Sequence, residues 1–225
     1  MSYPGGKGGS GVWQAIINQQ PPHTLYAEPF LGGGSVMRMK RPAAENIGID
    51  DDLSAIESFR IATINDGRPV QLIHGDGFDY LTMWRNSISK RALLYLDPPY
   101  VPSTRTSQTK LYQNEWDEIG HVRLLELLQG FPCMVQLSGY TCPIYEQMLK
   151  DWRVIRFNAM TRGGMREESL WMNYAEPKKL HDYRFFGRNF RERERIGRKT
   201  RRWVNRFKAL PELEREAILK AIGKG

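Results

Sequence analysis

The chain has 225 residues, 40% hydrophobic and 26% charged, with a formal net charge of +8. That length suits one α/β domain with a small appendage, and the apolar fraction supports a real core. Mean hydropathy is −0.54. No apolar run approaches the roughly 18 residues of a membrane span and the start has no signal-like apolar region, so a membrane or secreted protein is not expected.

Tyr3 to Gly11 is glycine-rich and reads as a loop, followed by a short helix over Val12 to Gln19. Thr24 to Ala27 predicts a first strand ending at Glu28-Pro29-Phe30. Gly32-Gly33-Gly34-Ser35 is a tight turn, and a helix opens at Val36. Asn46 to Ile49 predicts a second strand ending in Asp50-Asp51-Asp52, and Leu53 to Asn65 has roughly helical apolar spacing. Val70 to His74 predicts a third strand ending near Asp76, and Phe78 to Asn86 suits a helix. Ala92 to Leu96 is a short apolar run stopped by two prolines, hence a buried fourth strand. A polar stretch, Val101 to Glu115, leads to an amphipathic helix over His121 to Gln129. Cys133 to Leu137 is a fifth strand, followed by a helix around Tyr145, Met148 and Leu149. Trp152 to Asn158 and Glu168 to Tyr174 read as closing strands. Strands alternating with helices imply an α/β, mostly parallel, doubly wound sheet over residues 1–174.

Charge divides the chain. Residues 175–225 hold 16 Lys/Arg and 7 Asp/Glu, a net of +9, while the first 174 hold 17 and 18. A basic helical tail of this kind implies a polyanionic partner such as nucleic acid; a solvated helix of alternating charge is the plainer alternative. Within it Arg198, Lys199, Arg201, Arg202 and Arg206 are candidate DNA contacts, while Ile196, Trp203, Phe207 and Leu210 fall near one helical face. Pro211 opens a last helix, Glu212 to Ile222, closed by Gly223. Cys133 and Cys142 form neither a disulfide framework nor a metal pattern, and the four histidines are scattered, so no metal site is expected.

Glu28, Asp50, Asp76 and Asp97 each close a predicted strand, and a parallel sheet brings such ends to the edge where ligands bind. The glycine turn lets backbone approach a ligand at an electropositive helix start. Asp50, about twenty residues further on, stands where an acid grips a ribose diol. Asp97-Pro98-Pro99-Tyr100 adds an acceptor, a rigid turn and an aromatic face, equipment for holding the exocyclic amine of a flipped base; taken alone, the four residues read equally as an ordinary turn.

Tyr3-Pro4-Gly5-Gly6-Lys7, Glu28-Pro29-Phe30-Leu31-Gly32-Gly33-Gly34-Ser35, Asp50 and Asp97-Pro98-Pro99-Tyr100 together resemble the ordered motifs of S-adenosylmethionine-dependent DNA adenine-N6 methyltransferases. The resemblance is to the Dam-type, D12-class group and spans roughly residues 3–174. It implies a Rossmann-like methyltransferase fold and S-adenosylmethionine as cofactor. Tyr3 and Lys7 would meet the methionine end of the cofactor. Glu28, Phe30, Gly32, Gly34 and Ser35 would wall it, Asp50 would hold its ribose, and Asp76, Gly77 and Phe78 would border its adenine. Asp97 and the Pro98 carbonyl would accept from the target amine, Asp97 also bordering the cofactor, and Tyr100 would stack on the base. Of the remainder, Asp51 and Asp52 read as a helix cap and surface charge, and Asp76 as either a ligand or a cap. Ser138 and Tyr140 read as either site or core-edge packing, and Glu168 as structural.

The chain departs from that family in lacking its usual target-recognition insertion, since Asp76 and Asp97 are only 21 positions apart. Whatever reads DNA must then follow Tyr100, in the loop Pro102 to Trp116 with Arg105, Lys110 and Tyr112, or in the tail. The expected protein is a small orphan or restriction-associated enzyme of relaxed specificity, a monomer or weak dimer acting on double-stranded DNA. It would be cytoplasmic, bacterial or phage-encoded, and nucleoid-associated. Single-stranded DNA, RNA, and an inactive nucleic-acid-binding domain of the same fold stay open.

Overall fold

The computed structural model describes residues 7–9, 11–101, 116–161 and 164–223. Two compact units divide the chain, Met1–Asp182 and Tyr183–Gly225.

The first unit is built on seven strands: β1 (Leu25–Glu28), β2 (Glu45–Asp50), β3 (Gln71–His74), β4 (Ala92–Leu96), β5 (Met134–Gly139), β6 (Arg153–Thr161) and β7 (Gly164–Met172). They form one sheet in the order β3-β2-β1-β4-β5-β7-β6. The first five run parallel and β7 enters antiparallel between β5 and β6. This is the expected α/β, mostly parallel, doubly wound Rossmann-like arrangement. Central strands covered on both faces must be apolar throughout, and all five residues of β4 are buried. Leu94, Leu96, Val135 and Leu137 pack with Leu124, Leu125 and Leu128 of the helix Glu118–Gln129.

Helices α1 (Val12–Ile17), α2 (Ser35–Met39), α3 (Leu53–Thr63), α4 (Gly77–Trp84), α5 (Glu118–Gln129) and α6 (Pro143–Met148) fill the connections. Three are started by an aspartate accepting a backbone N–H of the first turn: Asp52 from Ser54, Asp76 from Phe78, Asp117 from Gly120. Such caps satisfy amides that have no partner inside the helix.

The closing strands are longer than their apolar cores suggest. β6 and β7 pair from Arg153↔Met172 to Thr161↔Gly164, whereas β5 pairs with β7 only as far as Gly139↔Ser169. The hairpin end therefore continues past β5 at the sheet's carboxyl edge. Beyond Ser169 β7 pairs with β6 alone, so this end lacks the continuous apolar run of a central strand. Residues 175–182 also pack on this unit: His181 stacks on His23 with ring centroids 3.9 Å apart, and Asp182 accepts the Arg41 N–H at 2.8 Å.

The second unit holds α7 (Phe190–Lys208), capped by the Asn189 side chain, and α8 (Glu212–Ile222). Neither helix has a buried residue. At about 100° per residue, Arg191, Arg195, Arg198, Arg202 and Arg206 of α7 share one face, with Lys199 at its border. Ile196, Trp203 and Phe207 occupy another. Arg201 is turned away from the basic face.

Candidate active site

The strand order sets Asp76, Asp50, Glu28 and Asp97 side by side at the carboxyl ends of β3, β2, β1 and β4. The connection reverses direction between β1 and β4, and a crevice opens at such a switch point.

On the β4 side the polar groups form one cluster. Lys7, only 4% exposed, places Nζ 2.8 Å from Asp97 Oδ1 and 3.4 Å from Glu168 Oε2, and it also bonds the Tyr100 hydroxyl. Burial opposes charge on Lys7, but Asp97 and Glu168 outweigh it and hold its pKa above the ordinary lysine value. Burial raises the Glu168 pKa, with Lys7 working against the rise. Glu168 Oε1 accepts the Tyr100 hydroxyl at 3.2 Å. Ser138 Oγ, from β5, lies 2.9 Å from Asp97 Oδ1 and 3.1 Å from Tyr95 OH. Both side-chain partners of Asp97 thus engage Oδ1, and among the described residues Oδ2 has none. Pro98, lacking an N–H, follows at the turn, and the Tyr100 ring lies 4.5 Å from that of Tyr140.

The other side works through backbone. Asp50 Oδ2 accepts the Gly32 N–H at 2.7 Å and Oδ1 the Asp52 N–H at 2.9 Å; burial raises its pKa. Gly32 and Gly34 have φ of 48° and 56°, the left-handed region that glycine tolerates. A side chain on Gly77 would strike the Pro29 carbonyl oxygen, so glycine there lets the turn after β3 close on the turn after β1. Phe30 meets Trp116 edge-on at 5.3 Å and Phe78 meets it at 6.0 Å, an aromatic wall along this edge. Glu28 is 2% exposed, and burial pushes its pKa up to about 8 despite hydrogen bonds from the Tyr26 hydroxyl and the Met37 amide. Asp76 is exposed and caps α4, one of the two roles the sequence leaves open. Ser35 is the first residue of α2.

Lys7, Asp97, Pro98 and Tyr100 are therefore brought together. Glu28, Phe30, Gly32, Gly34, Asp50, Gly77 and Phe78 line the adjoining edge. Tyr3, Arg105, Lys110 and Tyr112 lie outside the described residues. Arg198, Lys199, Arg202 and Arg206 are exposed on α7, with Arg201 off their face. Sequence reasoning treats Glu168 as structural, yet it completes the Lys7 cluster. The available signal was an acid leading directly into the buried run Ser169-Leu170-Trp171-Met172. Trp116, assigned from sequence to the DNA-reading loop, packs in the aromatic wall.

Residues 78–167 match the model of the D12 class N6 adenine-specific DNA methyltransferase family. The match covers 90 of the 225 residues. It runs from α4 through the Asp97 turn to the residue before Glu168. No curated protein matches the chain. Among solved structures, a SAM-dependent methyltransferase from Agrobacterium tumefaciens is 12% identical with a TM-score of 0.49, covering 71% of this chain and 58% of its own. The precorrin 8W decarboxylase of Methanobacterium thermoautotrophicum is 14% identical at 0.48, with coverages of 77% and 94%. The protein PH0851 is 12% identical at 0.50, with coverages of 73% and 45%. At such identity the likeness to PH0851 speaks to fold alone, and the chain spans about half the length of two of the three.

For a segment matching the D12 class in this fold the cofactor is S-adenosylmethionine. The groups present fit it: a backbone-oriented acid for a diol, an aromatic wall for a purine, a buried ammonium for a carboxylate. Among the described residues there is no group of three or more His, Cys, Asp or Glu able to hold a metal ion. No helix described is long and apolar enough to cross a membrane.

Proposed function

We propose that the chain is a DNA adenine-N6 methyltransferase acting on a flipped adenine. The observation that carries this reading is the Asp97 carboxylate, pinned through Oδ1 by Lys7 and Ser138 with Oδ2 turned to no other described group, inside the segment that matches the D12 class.

S-adenosylmethionine supplies an electrophilic sulfonium methyl when bound, so the protein needs no covalent nucleophile. Its task is to present an amine whose lone pair is otherwise delocalised into the purine. Asp97 Oδ2 and the Pro98 carbonyl accept the two N–H bonds, favour a pyramidal nitrogen and oppose the positive charge that develops on it. The proton lost afterwards leaves along one of these hydrogen bonds. Tyr100 stacks on the base, its hydroxyl tethered to Lys7 and Glu168. Asp50 holds the ribose hydroxyls, and Phe30 and Phe78 flank the cofactor adenine. Lys7 sits between carboxylates here and offers its ammonium to the cofactor carboxylate from the same position. The basic face of α7 tracks phosphates, giving affinity with little sequence information.

The test offers labelled S-adenosylmethionine with duplex DNA, single strands and RNA, and identifies the modified nucleoside. N6-methyladenine in DNA is expected, with Asp97→Asn reducing the rate at least about a hundredfold. Transfer to RNA alone would move the substrate; no transfer by a folded, cofactor-binding protein would overturn the reading.

A further inference from the structure

Beside the Asp97 cluster lies a separate open cleft of about 760 Å³, between the start of α5, the turn from β5 into α6, and the β6–β7 hairpin. Its volume lies in the range of small-molecule pockets. Tyr140, one residue past β5, touches both regions: its ring is 4.5 Å from that of Tyr100, and the Arg166 guanidinium stands 4.3 Å over it. Arg166 projects from the part of β7 that continues beyond β5, on the same strand face as Glu168 two residues on. A line of flat groups thus runs outward from Tyr100 at the reaction turn to Tyr140 and Arg166, which line the cleft.

The lining argues for a heterocycle over a phosphate. Met165 and Ile144 supply apolar wall, and among the described lining residues one guanidinium, Arg166, meets the carboxylates of Glu118 and Glu167. Glu167 leans toward Arg156 at 3.8 Å on the neighbouring strand. A phosphate would find no excess of positive charge among the described lining residues. A base would meet a stacking surface with apolar wall beside it.

The geometry points to a second base subsite: Tyr140 and Arg166 stack a nucleobase adjacent to the target adenine, held out of the duplex or presented in a single strand. The inference rests on Tyr100 being the platform for the target base. Tyr140 and Arg166 are positioning residues that select which nucleotide may neighbour the target. This gives local sequence preference to a chain whose spacing leaves no room for an insertion before Asp97.

The test measures binding of single-stranded oligonucleotides with one central adenine, in the presence of S-adenosylhomocysteine. The nucleotide on either side is replaced in turn by an abasic sugar. Removing the base on one side is expected to weaken binding about tenfold and on the other side to do little. Tyr140→Leu and Arg166→Gln should each shrink the difference to under about threefold, while Tyr140→Phe, which keeps the ring, should retain it. Thermal unfolding of each variant shows whether it is folded. Equal binding of all oligonucleotides by the unmodified protein, or full discrimination by folded Tyr140→Leu and Arg166→Gln, would overturn the subsite. Because the readout is binding, it separates from the reading it rests on: discrimination without methyl transfer sinks the enzyme and keeps the subsite. Normal transfer without discrimination does the reverse.

Discussion

The two halves of the sheet's carboxyl edge solve the same problem by different means. On the side of β1, β2 and β3 the ligand-facing groups are placed by backbone: amides orient Asp50, and a missing side chain at Gly77 lets two turns meet. On the side of β4, β5 and β7 they are placed by side chains, Lys7 gathering Asp97 and Tyr100 from the turn after β4 and Glu168 from β7. Backbone placement is cheap in charge and intolerant of volume. Side-chain placement tolerates volume but buries charge, which is stable only while every partner is present.

The largest effect should come from breaking the charged half. Lys7→Met leaves two largely buried carboxylates without their cation and should cost about 3–5 kcal/mol in urea denaturation. Adding Glu168→Gln should recover part of that loss, since the pair is coupled. Equal costs for the single and double variants would show that Lys7 and Glu168 do not act as a unit.

Gly77→Ala probes the other half. A methyl there meets a backbone oxygen that has no rotamer by which to escape, so destabilisation of about 3 kcal/mol is expected, together with weaker cofactor binding. A neutral result would mean that the turns after β1 and β3 can separate freely.

Glu28 sits between the halves and gives a pH signature. Its pKa rises from the ordinary 4.5 to about 8 in the folded protein. The folded state therefore holds a proton that the unfolded chain releases, and stability falls as pH rises through this window. Relative to Glu28→Gln, which keeps an acceptor for Tyr26, the natural protein should lose about 2 kcal/mol between pH 6 and pH 7.5. A difference between the two proteins that does not change with pH would place the Glu28 proton elsewhere.

The same contrast explains what could be read from sequence. The Asp97 turn, the glycine turn and Asp50 were legible because each is local: an apolar run, a stop and a polar end. The mostly parallel, doubly wound character of the sheet followed from the alternation of strands and helices, while the strand order did not. Glu168 was not legible, because its role depends on β7 running antiparallel beside β5 and reaching back past the end of that strand. Nothing around Glu168 records that Lys7, far away in sequence, will be its partner. The hairpin end was invisible for a related reason, since ladder hydrogen bonds leave no apolar period.

The smallest effect on the folded protein, and the sharpest on binding, concerns α7. If its basic face tracks phosphates, replacing Arg198, Lys199, Arg202 and Arg206 by Gln should leave thermal stability unchanged, because these side chains are exposed. The slope of log affinity against log salt on duplex DNA should fall by up to about 0.9 for each phosphate no longer neutralised. Arg201 carries the same charge one residue from Arg202 but faces another way, so Arg201→Gln should change the slope less than Arg202→Gln. If the two single variants behave alike, the tail acts as a diffuse cloud of charge and helix geometry is irrelevant to it. If they differ, α7 presents one face to the phosphates, and Arg191 and Arg195 on that face become the next residues to replace.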